Sequence, residues 1–395
     1  MLNLSIFNHH LRLMKQLFFF ALLATACMDD PVSVTSSAPQ DDNGWYGELP
    51  EGFPEPVVAI ENKMTPEKIE LGRHLFYDQR LSVNQSQSCS SCHRQEYAFA
   101  DGLEQSIGST GESTPRNSMA LVNVAYNRFY TWANSSLTHL EAQIVIPLFG
   151  ESPIELGLAG QETQTLNELL ADERYQQLFS LAYPEIDNPS FKEIVEALGA
   201  FCRSLISGDS DFDRYLYQQE RSLDDSAIRG LNLFFSEKLE CHHCHGGFNF
   251  SNASLGHGTS LGSTASVSPF HNTGLYNIDN QGTYPIHSQG LFSVTGDPKD
   301  MGRFRAPTLR NIALTAPYMH DGSMQSLEEV IRFYEAGGRE IKEGPYRGDG
   351  RKHPLKSSLI SGFTLTDQER NDLIHFLESL SDESFVTNPA FSNPW

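Results

Sequence analysis

Two pentapeptides of the form Cys-x-x-Cys-His stand in this chain, Cys89-Ser90-Ser91-Cys92-His93 and Cys241-His242-His243-Cys244-His245. Cysteines at this spacing serve three chemistries. A zinc ribbon joins two such pairs across about 15–20 residues, whereas Cys92 and Cys241 are far apart in sequence. Disulfides suit an exported protein, but they give no reason for a His in fifth position twice. Covalent haem attachment accounts for every position: two thiols add to the haem edge and the next residue, His, reaches the iron as proximal ligand. The motif thus predicts two covalently bound c-type haems. Cys89, Cys92 and His93 would hold one; Cys241, Cys244 and His245 would hold the other. His242 and His243 fill the variable positions of the second loop and read as spectators. An electron carrier fills both axial positions of its iron, and an enzyme leaves one open. The remaining ligands therefore decide function.

The elements that must position these groups are mostly helical. TPEKIELGRHLF (65–76) and DDSAIRGLNLFF (224–235) each carry a helix start, then Gly-x-x-Leu-Phe, and each precedes a pentapeptide. This repeat predicts two related helical domains. LEAQIVIPLF (140–149) starts a helix that is expected to stop near Pro147. FKEIVEALGAFCRSLIS (191–207) has its apolar residues at helical spacing and reads as a buried helix, with Cys202 on the core face. SLEEVIRFYEAGG (326–338) and LTDQERNDLIHFLESL (365–380) are capped helices, while 251–300 is loop. Strand signals are sparse. The expected class is mainly α: two cytochrome c-like helical domains with long loops, over 45–220 and 221–395, meeting near 217–225.

A net charge of −22 argues against binding a nucleic acid backbone, and an apolar content of 39% supports full cores. Lys15, the run LFFFALLATA and Cys27 read as a secretory signal over 1–27 with lipoprotein-type cleavage, leaving Cys27 as the lipidated first residue. Met14 looks a more natural start than Met1. Residues 28–44 are polar and read as a flexible tether. The expected location is periplasmic, with contact to a membrane only through a lipid anchor.

LGRHLFYDQRLSVNQSQSCSSCH (71–93) and GRFRAPTLRNIALTAPYMHDGSMQSLEEVIRFYEAGG (302–338) resemble the bacterial di-haem cytochrome c peroxidase superfamily, from about Trp45 to about Ser381. The resemblance implies a peroxidatic N-terminal haem and an electron-transfer C-terminal haem. Ordinary members carry a mobile His that closes the first haem at rest; the corresponding stretch DGLEQSIGSTGESTPRNSMA (101–120) has none. That haem is expected to be open. Ordinary members also place a Met on the second haem, where this chain has Tyr334, as in the MauG and MbnH branch. Met319 and Met324 are the alternatives nearby. A phenolate favours ferric and higher states, where a thioether favours ferrous iron.

RNSMALVNVAYNRFYTWANSSLTHLEAQIVIPLFGESPIELGLAG (116–160) looks closest to the MbnH form. By position the resemblance makes Trp132 the bridge between haems, and Gln143 and Glu155 the peroxide pocket. Trp-Ala-Asn-Ser replaces the usual Trp-Asp-Gly-Arg, and the Gln-to-Glu spacing is longer by two residues. It also implies a calcium ion held by the Asn117 side chain and the carbonyls of Thr315 and Pro317, hard oxygen donors that suit it. The implied reaction uses hydrogen peroxide to form a high-valent, bis-ferryl-like state and oxidises a Trp of a partner protein, in the MbnH case to kynurenine on a copper-binding partner. The alternatives are a peroxide-detoxifying cytochrome c peroxidase fed by a small cytochrome or copper protein, and an electron-transfer cytochrome.

Overall fold

In the computed structural model, residues 44–257 and 268–395 are described. Cys27, the signal segment and the tether up to residue 43 lie outside the described residues, as does part of the 251–300 loop. Helices α1 (Pro66–Tyr77) and α2 (Cys89–Cys92) come first. After a long irregular stretch follow α3 (Leu140–Phe149), α4 (Glu162–Leu170), α5 (Glu173–Ala182), α6 (Phe191–Ser204) and α7 (Asp211–Tyr217). The second half holds α8 (Asp225–Phe234), α9 (Cys241–Cys244), α10 (Phe292–Thr295), α11 (Leu327–Glu335), α12 (Asp367–Glu378) and α13 (Glu383–Val386). Two antiparallel pairs interrupt the loops: β1 (Phe270–His271) with β2 (Phe304–Arg305), and β3 (Glu340–Ile341) with β4 (Gly348–Asp349). The class is mainly α. Among the described residues no helix is long and apolar enough to cross a membrane.

Local chemistry sets the helix starts. Thr65 accepts from the Lys68 amide ahead of Pro66, Asp224 from the Ala227 amide, Ser326 from Glu329, and Thr366 and Glu369 form a reciprocal cap. The repeat has a packing reason. A Cβ on Gly72 would lie 1.9 Å from the Ala197 carbonyl oxygen, and a Cβ on Gly230 the same distance from that of Asp372. Each repeat helix thus meets a partner backbone at its glycine, α1 against α6 and α8 against α12. Around these crossings lie two apolar cores, one including Leu71, Phe76, Leu198 and Phe201, the other Phe234, Ile331, Leu373 and Phe376. Each takes a residue from the other half of the chain: Phe385 joins the first, Ala133 the second.

Near Pro147, α3 ends as expected, its last turn running through the proline to Phe149. Proline removes only the amide that would bond the Gln143 carbonyl. The Pro147 and Leu148 carbonyls instead accept from Leu156 and Leu158 at 2.9 and 2.8 Å, so a returning segment holds the last turn. The 191–207 helix ends at Ser204, and Cys202 is buried on its core face as expected.

Candidate haem sites

Both pentapeptides fold as one helical turn followed by His. Residues three apart share a helix face, so the two thiols of each turn stand together and the variable residues turn away. The His93 amide bonds the Cys89 carbonyl at 3.0 Å and the His245 amide that of Cys241 at 2.9 Å, closing each turn in the same way. His93 Nδ1 lies 2.8 Å from the Phe99 carbonyl oxygen; His245 Nδ1 lies 3.2 and 3.1 Å from those of Phe250 and Pro307. A ring that donates from Nδ1 keeps the Nε2 lone pair for a metal. Burial lowers the pKa of both imidazoles, against the pull of those carbonyls, and favours the neutral, ligating form.

Burial also pushes the thiols up, to about 12 for Cys89 and Cys241 and about 11 for Cys92 and Cys244. Burial at this level suits a neutral thioether, the form each thiol takes once it has added to a haem edge. All four thiols are free, so they form no disulfide among the described residues.

A large apolar cavity adjoins the second turn. Cys241, Cys244, His245, Tyr334, Trp132 and Met319 all face it. Met324 is buried elsewhere, so Tyr334 and Met319 are the ligand candidates that share a wall with His245. Burial raises the Tyr334 phenol first, and the two neighbouring thiols add to the rise; only a cation at the oxygen would reverse that. Arg305 also lines this cavity and is fully enclosed. Its guanidinium donates to the Thr131 carbonyl at 3.1 Å and reaches the Met119 sulfur at 3.6 Å, but pairs with no carboxylate among the described residues. Desolvation lowers it to about 10. A buried cation without a counter-ion asks for an anion, and haem carries two carboxylate arms. The donor set, the apolar wall and this unpaired cation fit a c-type haem.

Trp132 ties the cavity to the first turn. Its indole N–H donates to the Asn117 carbonyl at 2.9 Å, and the next residue, Ser118, donates to the Cys92 carbonyl at 2.7 Å. Asn117 is a junction in its own right: its amide N–H bonds the His320 carbonyl at 3.0 Å and its side-chain Nδ2 the Leu103 carbonyl at 2.6 Å. That leaves its Oδ1 for a cation. Asn117, Thr315 and Pro317 all line the cavity.

Glu155 sits at the other site. Its charge is felt by the Cys89 and Cys92 thiols, which places it beside the first turn. Loop 106–114 packs on its backbone: the Ser109 amide bonds the Glu155 carbonyl at 2.7 Å, and a Cβ on Gly108 would come within 1.9 Å of the Ile154 oxygen. Burial raises the Glu155 carboxyl above the usual range. Gln143, on α3, has its Oε1 buried without a hydrogen-bond partner. Tyr334 and Glu155 therefore lie near different turns.

Sequence reasoning passed over Arg305 and His320. His320 also lines the cavity, stacks on Phe304 at 3.5 Å, has Nε2 buried and unpartnered, and is lowered to about 3 by burial. Both residues stand within the quoted run 302–338, but only the fold shows that they lose their water.

A family model described as di-haem cytochrome c peroxidase matches residues 66–221. The chain is 33% identical over 348 residues to cytochrome-c peroxidase IdrP1 of Denitromonas iodatirespirans, covering 85% of this chain and 86% of that protein. It is 30% identical over 365 residues to methylamine utilization protein MauG of Methylorubrum extorquens, covering 92% of each. Both span nearly the whole of the described fold, so the chain belongs to the di-haem cytochrome c peroxidase family and is an oxidoreductase of the peroxidase and MauG type. Among solved structures, a MauG-like protein associated with microbial copper homeostasis matches with a TM-score of 0.85 and 50% identity, covering 89% of this chain and 99% of that one.

Proposed function

We propose that this oxidoreductase uses hydrogen peroxide to oxidise a Trp on a separate partner protein. The observation that carries the reading is the Trp132–Asn117 link, which joins a cavity lined by His245 and Tyr334 to the turn that carries His93. Bound haem would supply redox-active iron able to store the two oxidising equivalents of peroxide. Cys89, Cys92 and His93 would hold the first group; Cys241, Cys244 and His245 would hold the second, with Tyr334 offering it an oxygen.

Glu155 takes a proton from the inner peroxide oxygen and returns it to the outer one, so that water leaves. That role requires a carboxylate in a place drier than bulk solvent, and Glu155 is half-buried with a raised pKa. Gln143 offers its unpartnered amide oxygen to the same pocket. Trp132 passes an oxidising equivalent between the two sites. Tyr334, as phenolate, stabilises it there. Asn117, with the carbonyls of Thr315 and Pro317, holds a calcium ion that fixes the junction beneath Trp132. The substrate gives up electrons from outside and need not enter either pocket.

The 50%-identical MauG-like protein is associated with microbial copper homeostasis, which supports a copper-binding partner and oxidation of its Trp to kynurenine. The periplasm, with Cys27 as lipid anchor, is the proposed location. The kinship with IdrP1 favours a second reading, peroxide removal with electrons from a small cytochrome or copper protein. Peptide mass spectrometry separates the two. The holoprotein is incubated with peroxide and a Trp-containing copper-binding protein. Oxidation of one Trp, dependent on both peroxide and enzyme, supports the first reading. Sustained turnover with a reduced cytochrome and no modified Trp supports the second.

A further inference from the structure

Glu237, His242 and His243 converge on the outer side of the second attachment turn. Their ligand atoms lie within 4.8 Å of one another, and among the described residues no other three such side chains come as close. His242 Nε2 is 3.7 Å from one Glu237 oxygen and His243 Nε2 is 3.6 Å from the other. The two imidazoles lie side by side, centroids 4.1 Å apart and planes 34° apart, and Glu240 puts a second carboxylate 2.8 Å from His243 Nε2.

We propose that these side chains form a surface site for a divalent late transition-metal ion, Zn(II) or Cu(II) by donor type. Two imidazoles and a carboxylate are the donors these ions prefer. Zn–N bonds of about 2.0–2.1 Å put neighbouring donor atoms of a tetrahedron about 3.3 Å apart. The gaps from the two imidazoles to Glu237 exceed that by a few tenths of an ångström, which the 80% exposed Glu237 side chain is free to close, and the imidazole donor atoms, within 4.8 Å of each other, come together by rotation of the partly exposed His243 ring. The helical turn explains why the site is separate from the haem: Cys241 and Cys244 face the cavity, and the two residues between them face away. The same turn makes the site consequential. Each imidazole is one residue from a haem-bearing Cys, so a bound cation raises the reduction potential of the second haem.

Zinc is the probe, because it adds no redox step. It is titrated calorimetrically into the holoprotein with calcium present, so that any calcium site stays filled. One saturable equivalent is expected, weakened at least tenfold in Glu237→Ala and in His243→Gln. Glu237→Ala lies outside the pentapeptide and keeps haem attachment intact, which the haem absorbance verifies. Spectroelectrochemistry gives the second readout: zinc shifts the second haem to higher potential in the wild type and leaves Glu237→Ala unmoved. Absence of a saturable equivalent, equal affinity in wild type and Glu237→Ala, or a potential indifferent to zinc in the wild type overturns the proposal.

Discussion

The indole N–H of Trp132 and the carbonyl of Asn117 meet at 2.9 Å, one residue from the Ser118 hydroxyl that caps Cys92. This contact joins Trp132, on the wall of the cavity that Tyr334 also lines, to the segment bonded to the first attachment turn. Trp132→Phe keeps the aromatic bulk but loses the hydrogen bond and the easily oxidised ring. Freeze-quenched samples of this variant should still show peroxide reacting at the first haem, while the second haem's signal persists. Simultaneous loss of both signals at the wild-type rate would remove Trp132 from the route.

Glu155 gives a pH dependence with a definite sign. Burial raises its carboxyl above the ordinary value of about 4.3 for Glu. Only the carboxylate accepts the peroxide proton, so the rate should be full above the raised pKa and fall as pH drops through it. Glu155→Gln should slow the peroxide reaction by about 10²- to 10⁴-fold and abolish that limb in stopped-flow profiles. An unchanged limb in the variant assigns the titration to another group.

Asn117 makes the junction sensitive to calcium. Chelation is expected to slow electron sharing between the haems, and added calcium to restore it, with little effect on haem content. Asn117→Ala should resemble the chelated protein and not respond to calcium. Elemental analysis of the dialysed holoprotein checks the ion directly, and a calcium-free protein of full activity would contradict the assignment.

Arg310 tests what holds the second site in shape. It forms a fully buried two-pronged pair with Asp213 at 2.7 and 2.9 Å and donates from Nε to the Phe248 carbonyl at 2.9 Å. The Phe250 carbonyl two residues on accepts from His245. Arg310→Leu strands the Asp213 carboxylate in the interior and should cost about 3–5 kcal/mol in chemical denaturation. A loss below about 1 kcal/mol, the range of exposed pairs, would show that water reaches Asp213.

Much of this was legible in the residues, and the reasons differ. The pentapeptides constrain five consecutive positions by covalent geometry, so they read without a fold. Helix starts at Thr65, Asp224, Ser326 and Thr366 follow from side chains that satisfy nearby amides, a local effect. The glycines of the repeat were visible, but their purpose was not, because Gly72 and Gly230 answer to backbones over a hundred residues away. Pro147 marked where α3 ends, but the bonds that carry its last turn through the proline come from Leu156 and Leu158, which local sequence does not show. Arg305 and His320 went unread for a related cause: loss of solvent is a property of the packed chain, and neither residue's neighbours in sequence announce it.

The most direct measurement is electron paramagnetic resonance of the resting ferric holoprotein, before and after one equivalent of peroxide. An open haem coupled to a His245–Tyr334 haem predicts one high-spin and one low-spin signal, both lost together on peroxide addition without prior reduction. Two low-spin signals that persist until the protein is reduced would contradict both the open first site and the Tyr334 ligand.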